Sequence, residues 1–236
     1  MKFAILAAGE GSRLSGEGLT CPKPLVELNG EKMIDRLVRI FSENDASEII
    51  VIVNQLTDKV EIHLKQLRMR AGLPPIRIVA KTTPGSMHSF FALSPYLRGE
   101  RFCLTTVDTV FREADFSAYL SAFKEMDADG LMAVTDFVDD EKPLYVQTAP
   151  ETTRITGFFD TPVTPCLVSG GIYCLSPVAL DVLDRCMDAG MVRMRDFQRA
   201  LVREGLRLYA YRFPKIMDVD HVGDIAKAEA YLAGGL

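Results

Sequence analysis

The chain has 236 residues, of which 48% are apolar and 25% charged, with a formal charge of −5. That is enough to bury a large core in one domain, and the acidic balance argues against a nucleic-acid-binding surface. The first apolar run is only about six residues, far short of a membrane span, and no leader-like segment precedes it. Five cysteines (21, 103, 166, 174 and 186), an odd number without paired short spacing, read as reduced thiols of a cytoplasmic protein.

In chain order, Phe3 to Ala8 form a short buried strand, which Gly9-Glu10-Gly11-Ser12-Arg13-Leu14 interrupts. Ile34, Leu37, Val38 and Phe41 recur at helical spacing, and Glu48 to Val53 follow as a buried strand. A polar-faced helix over 56–71 precedes the strand Ile76 to Val79, a helix begins near Ser86, and Arg101 to Thr106 is a further strand. A helix starts near 113. Short strands without long helices fill 130–175, which predicts antiparallel or irregular pairing there. Helices near 176–188 and 195–204, a strand over 206–213 and a helix over 222–233 complete the chain. Strand–helix alternation predicts an α/β fold, a three-layer α/β/α Rossmann-like arrangement with a mostly parallel sheet. No internal repeat or low-complexity linker divides it, so one domain is expected, with a nucleotide-side half over 1–135 and a second half over 136–236.

Ligands of such sheets bind at the carboxyl ends of strands. That rule puts the 9–14 loop, the loop after Val79 and the segment after Thr106 on one rim. A strand that stops at a glycine loop frees backbone N–H groups for an anion, and Arg13 and Lys23 add fixed positive charge beside it. This is not a P-loop, which needs four residues between its glycines and then Gly-Lys-Ser/Thr. It is not a dinucleotide fingerprint either, because Leu14 stands where the third glycine belongs. Asp108 closes a strand in Thr105-Thr106-Val107-Asp108-Thr109, too far upstream to cap the helix near 113. A carboxylate there suits Mg²⁺, which takes one or two protein carboxylates and leaves its other positions to phosphate and water.

The pattern apolar strand, Ala7-Ala8-Gly9-x-Gly11-x-Arg13-Leu14, then Pro22-Lys23-Pro24-Leu25, resembles the signature of the sugar-phosphate nucleotidyltransferases, the NDP-sugar pyrophosphorylases. The resemblance implies the nucleotide-diphospho-sugar transferase fold. It also implies a Mg²⁺-dependent transfer of a nucleoside monophosphate from a triphosphate to a sugar 1-phosphate or similar phosphomonoester, with pyrophosphate released. Leu6, Ala7, Ala8, Gly9, Gly11 and Ser12 would contact the nucleotide, Arg13 would neutralise pyrophosphate, and Lys23 would stabilise charge at the α-phosphate. Asp108 and Asp220, the latter in Met217-Asp218-Val219-Asp220-His221, would hold the metal. Val107 stands where the family has glycine. Asp218 is either an outer partner or a turn residue, and Asp224 is a first-turn helix residue. His221 is not expected to be a ligand, since Mg²⁺ prefers oxygen.

Gly85 and Ser86, in Thr82-Thr83-Pro84-Gly85-Ser86, match the family's base-contacting loop, but its glutamine is absent, so the base is not fixed. His88 reads as a helix-surface residue. Gly170-Gly171-Ile172-Tyr173 resembles the acceptor-contacting strand, which assigns Gly171 and Tyr173 to the acceptor. The family's Glu-Lys-Pro, whose lysine holds the sugar phosphate, is replaced by Asp160-Thr161-Pro162. The literal Glu141-Lys142-Pro143 precedes two further strands and reads as coincidental, and Lys215, close in sequence to the aspartates, is the expected substitute. Loss of that lysine keeps open a cytidylyltransferase for a phospho-alcohol such as phosphocholine. A non-catalytic nucleotide-sugar sensor is the other alternative, disfavoured by retention of Arg13, Lys23, Asp108 and Asp220 together. The expected partners are a nucleoside triphosphate and a phosphomonoester, with no nucleic acid and no membrane. The sequence does not specify an oligomeric state.

Overall fold

The computed structural model describes residues 1–56, 58–138 and 141–234. Strand β1 (Lys2–Ala7) opens the chain and leads through the glycine loop into a single-turn helix, α1 (Ser12–Gly16). A small ladder of β2 (Glu27–Leu28) and β3 (Glu31–Lys32) then feeds α2 (Met33–Glu43). Next come β4 (Glu48–Val53), α3 (Asp58–Leu67), β5 (Ile76–Ala80), α4 (Ser86–Leu97) and β6 (Phe102–Thr106). After β7 (Thr109–Val110) and α5 (Glu113–Glu125) the strands β8 (Gly130–Thr135), β9 (Tyr145–Thr148), β10 (Ile155–Phe159) and β11 (Leu167–Leu175) run without an intervening helix. The chain ends with α6 (Val178–Asp188), α7 (Met194–Arg203), β12 (Leu208–Arg212), β13 (Met217–Asp218) and α8 (Val222–Leu232).

Nine of these strands form one sheet. Its path runs β10-β9-β11-β6-β1-β4-β5, with β8 pairing β11 and β12 pairing β8. The β6-β1-β4-β5 block is parallel, as crossover helices require, and β11 joins it antiparallel to β6. Side-chain alternation divides the core between two faces. Phe3, Ile5, Ile49, Val51 and Val53 pack beneath α2, α3, α5 and α8, whereas Ala4, Leu6, Ile50 and Ile52 pack beneath α4, α6 and α7. This is the expected three-layer α/β/α arrangement, and every antiparallel strand pair of the large sheet involves β9 or β11. Among the described residues no helix is long and apolar enough to cross a membrane. Cys103 and Cys174 lie opposite each other on β6 and β11, and all five cysteines are free thiols.

Two short devices shape the rim. β13 pairs antiparallel with β7, setting Asp218 opposite Thr109, and the Val219 N–H donates to the Asp108 carbonyl at 3.1 Å. That ladder carries the C-terminal aspartates to the end of β6. On β11 the register against β8 shifts between Ser169 and Tyr173, and Gly171 takes φ +73°. A Cβ on the neighbouring Gly170 would lie 2.3 Å from Ile216 Cδ1, so a larger residue there would make the end of that side chain shift.

Candidate functional site

Along the rim lies a cleft of about 630 Å³, walled on one side by the 8–13 loop and on the other by 82–86. Gly11, at the start of α1, has φ +61°, and a Cβ there would stand 3.2 Å from the Cβ of Lys23. Glycine is therefore required twice, for the left-handed turn and for the close approach of the Pro22-Lys23-Pro24 segment. Leu6, Ala8, Gly9, Gly11, Ser12, Arg13, Gly85 and Ser86 all line the cleft. Ala7 does not: strand alternation turns it to the opposite face, against the cluster under α2 and α3.

At the cleft's inner end the Lys23 ammonium bridges two carboxylates, 2.5 Å from Asp108 Oδ2 and 2.6 Å from Asp220 Oδ1. Burial alone would lower the pKa of Lys23, but the two aspartates outweigh it and hold the pKa above its ordinary value. Arg13 Nη1 takes the other oxygen of Asp220 at 2.6 Å, and its Nη2 lies 3.7 Å from Glu141 Oε2. Residues distant in sequence thus converge on one alternating cluster of charge. Asp218 faces the same region. Its side chain is exposed at the wall of a neighbouring cavity, and desolvation there, with the negative charge of Asp108 and Asp220, raises its pKa against the opposing hydrogen bond from Thr109 and charge of Lys23.

The donor set suits a hard divalent cation. Among the described residues no group of three or more His, Cys, Asp or Glu side chains could hold a metal unaided. Asp108 and Asp220 nevertheless already share one cation, the Lys23 ammonium, and two carboxylates suffice for Mg²⁺ when substrate phosphates complete its shell. His221 is engaged elsewhere, with Nδ1 2.5 Å from Glu17 Oε1, while the second Glu17 oxygen accepts from the Val222 N–H at 2.7 Å. The Glu17 contact holds the His221 pKa above its usual value.

At the outer end of the cleft, sequence reasoning overlooked Asn54. It ends β4 at the same rim, where the strand-end rule would have found it. Asn54 is buried, and its Oδ1 accepts from the Leu56 N–H and the Thr82 hydroxyl, both at 2.9 Å. Thr83 and Ser89 share a 2.6 Å hydroxyl contact that braces the loop before α4. His88 lies in the first turn of α4 but lines neither cavity, and its Nδ1 is buried without a partner among the described residues.

A second cavity, of about 280 Å³, joins the first at Arg13 and Asp220 and is walled by Thr135, Ser169, Gly170, Asp218, Asp224 and Lys227 among others. Several residues expected to contact an acceptor lie away from it. Gly171 and Tyr173 do not line it, whereas Ser169 and Gly170 do. Tyr173 instead points inward, 3.4 Å from Gln198 Nε2, and burial pushes its hydroxyl up to about 12. Lys215 is also elsewhere, its ammonium 4.3 Å from the ring centre of Phe137 and 5.1 Å from that of Tyr231. Glu141 does line the cavity, so the Glu141-Lys142-Pro143 string is not remote. β9 pairs with β11, and the Ser169 N–H donates to the Leu144 carbonyl at 2.9 Å. Asp160, at the position of the family's Glu-Lys-Pro, is instead held by Arg195 at 2.6 Å and Arg199 at 2.7 Å.

Comparison with known proteins agrees with this fold. The inositol-1-phosphate CTP transferase of T. maritima superposes with a TM-score of 0.80 at 18% identity, covering 100% of this chain and 97% of that one. A UDP-glucose pyrophosphorylase from Acinetobacter baumanii gives 0.77 at 18% identity, covering 98% and 92%. At that identity the likeness shows the nucleotide-diphospho-sugar transferase fold. In sequence, the mannose-1-phosphate guanyltransferase of Yarrowia lipolytica is 24% identical over 210 residues, 87% of this chain and 57% of that protein. The mannose-1-phosphate guanyltransferase beta-B of Xenopus laevis is 26% identical over 186 residues, 77% and 51%. The chain therefore spans about half the length of the curated relatives it matches. With residues 3–201 matched by the family's model, the chain belongs to the MobA-like NTP transferase domain family.

Proposed function

We infer that the protein transfers a nucleoside monophosphate from a nucleoside triphosphate to a sugar 1-phosphate or similar phosphomonoester, with Mg²⁺ and release of pyrophosphate. The observation that carries this is the Asp108–Lys23–Asp220 bridge, set where a nucleotide-sized cleft meets a smaller cavity. The triphosphate lies along the 8–13 loop with its base toward Asn54 and Gly85. The acceptor enters from the Asp218 side, and its phosphate oxygen forms a bond to the α-phosphorus as the bond to pyrophosphate breaks. Arg13 takes up charge on the departing pyrophosphate and Lys23 on the α-phosphoryl oxygens. No protein nucleophile or strong base is required, because a phosphomonoester is already an anion, so positioning and electrostatics supply the catalysis. Asp108 and Asp220 would hold Mg²⁺, which when bound neutralises triphosphate charge. Both halves of the chain contribute to this centre, which supports one functional domain.

A second reading, a cytidylyltransferase for a phospho-alcohol, draws on the absent Glu-Lys-Pro lysine and on the CTP-using structural neighbour. Pyrophosphate release with each triphosphate against mannose 1-phosphate, glucose 1-phosphate, inositol 1-phosphate and phosphocholine separates the two. Turnover with a sugar 1-phosphate supports the first and turnover with CTP and phosphocholine the second. Binding of finished nucleotide sugars without turnover of any pair would point instead to a sensor.

A further inference from the structure

The glycine loop and the C-terminal segment meet at two points one helical turn apart. In α1 the Glu17 N–H donates to the Arg13 carbonyl at 3.1 Å, so the two residues stand four apart on one face. Arg13 Nη1 reaches Asp220 Oδ2 at 2.6 Å. The Glu17 carboxylate takes the next two residues. Its Oε1 lies 2.5 Å from His221 Nδ1, and its Oε2 accepts from the Val222 N–H at 2.7 Å. One helical turn thus holds three consecutive residues, 220 to 222.

Substrate acts differently on the two points. Arg13 lines both cavities, and its partner Asp220 is one of the two carboxylates that suit Mg²⁺. Triphosphate and metal therefore compete for both sides of the first contact. The bond from Lys23 to Asp220 is open to the same competition. Glu17 lines neither cavity, and it is held by a ring nitrogen and a backbone N–H, so loading the site leaves this second contact in place. Other bonds steady Asp220 without reaching the glycine loop. The Asp224 carboxylate accepts from the Asp220 N–H at 3.2 Å, and the Val219 N–H donates to the Asp108 carbonyl.

We propose that Glu17 is a positioning residue, which keeps the glycine loop in register with Asp220 while Arg13 and Lys23 are given over to a Mg²⁺-bound triphosphate. Glu17 itself touches no reacting atom. This assignment rests on the transferase reading above. In the ligand-free protein both contacts exist, and Glu17 and His221 are 40% and 42% exposed, so loss of their pair alters stability little. In the loaded protein the same loss lowers the fraction of molecules with the loop in place, and the apparent Kd rises in proportion.

The test is titration calorimetry on the full chain with Mg²⁺ and whichever of CTP, UTP, dTTP, GTP and ATP stabilises the wild type most. Melting temperatures of the ligand-free proteins are measured alongside. Glu17→Ala is expected to raise the Kd about tenfold, as for a loop in place about one-tenth of the time. Its ligand-free melting temperature is expected to stay within about 2 °C of the wild type. Glu17→Gln, which keeps an acceptor oxygen for the Val222 N–H, is expected to bind more tightly than Glu17→Ala. Glu61→Ala removes an exposed carboxylate from a comparable pair, with Lys65 at 2.6 Å on α3, and is expected to bind as the wild type does. A purely structural contact would lower the melting temperature of Glu17→Ala and leave its Kd unchanged, which overturns the proposal. So does an equal loss in Glu61→Ala, or a Glu17→Gln variant as weak as Glu17→Ala. Failure of the transferase reading shows differently, as absence of any Mg²⁺-dependent triphosphate binding by the wild type, and removes the proposal with it.

Discussion

Replacing Lys23 by methionine should have two opposite effects on the same site. In the wild type the buried ammonium neutralises Asp108 and Asp220 at 2.5 and 2.6 Å, with Lys23 only 10% exposed. Methionine keeps the stem and removes the charge, leaving two carboxylates facing each other across the space that the ammonium filled. Breaking a buried pair typically costs about 3–5 kcal/mol. Asp108 and Asp220 are 21% and 40% exposed and water reaches both, so the discounted expectation is roughly 1–3 kcal/mol. For a chain of this size that is a fall of about 2–12 °C in melting temperature. Mg²⁺ competes with Lys23 for the same oxygens, so the ligand-free variant should bind the ion more tightly than the wild type and regain stability on its addition. Turnover falls nonetheless, by roughly 10²–10³, as on losing one transition-state donor. The assay is thermal unfolding of both proteins over a Mg²⁺ series, with pyrophosphate release alongside. A variant as stable as the wild type without Mg²⁺, or one that the ion does not stabilise further, would refute the shared-carboxylate argument.

Other substitutions probe separate parts of the account. Asp108→Asn should abolish turnover with the circular dichroism spectrum unchanged, and retained activity would remove Asp108 from the site. Gly11→Ala forces a side chain onto φ +61° and against Lys23. It should lose about 1–2 kcal/mol in denaturant titration and bind triphosphate more weakly. Lys215→Met removes an ammonium from two aromatic faces. Its expected effect is about 1 kcal/mol of stability, read in the same titration and not as a selective rise in acceptor KM. Tyr119→Phe deletes a buried hydroxyl that accepts from the Cys174 N–H at 2.8 Å and donates to the Leu131 carbonyl at 2.5 Å. It should cost about 1–3 kcal/mol, and a neutral result would mean that the β8–β11 junction does not depend on that bridge.

Local pattern made much of this molecule legible. Alternation in β1 and β4 and the helical period of α2 are properties of contiguous residues, and the strand-end rule placed Gly9–Arg13, Gly85 and Asp108 on one rim before any coordinates. What local pattern could not show is contact between distant segments. The two-residue ladder of β7 and β13 is too short to leave a periodic signal, yet it brings Asp220 to Asp108 and Lys23. The surroundings of Lys215 and Glu141 were hidden for the same reason. Proximity in sequence favoured Lys215, but packing lodged its ammonium against Phe137 and Tyr231. Likewise the β9–β11 pairing brought Glu141 to a cavity that two intervening strands in the sequence separate from it.

The central claim is that Asp108 and Asp220 form a Mg²⁺-dependent triphosphate site. Its most direct test is a thermal-shift panel of CTP, UTP, dTTP, GTP and ATP, each with and without Mg²⁺, on the wild type and on Asp108→Asn. A ligand that binds only the folded state raises its melting temperature by mass action, at about 2.7 kcal/mol for a hundredfold excess over Kd. The account predicts that one triphosphate stands out, that it does so only with Mg²⁺, and that Asp108→Asn loses the effect. A shift of equal size without the ion, or one that survives in Asp108→Asn, would contradict it.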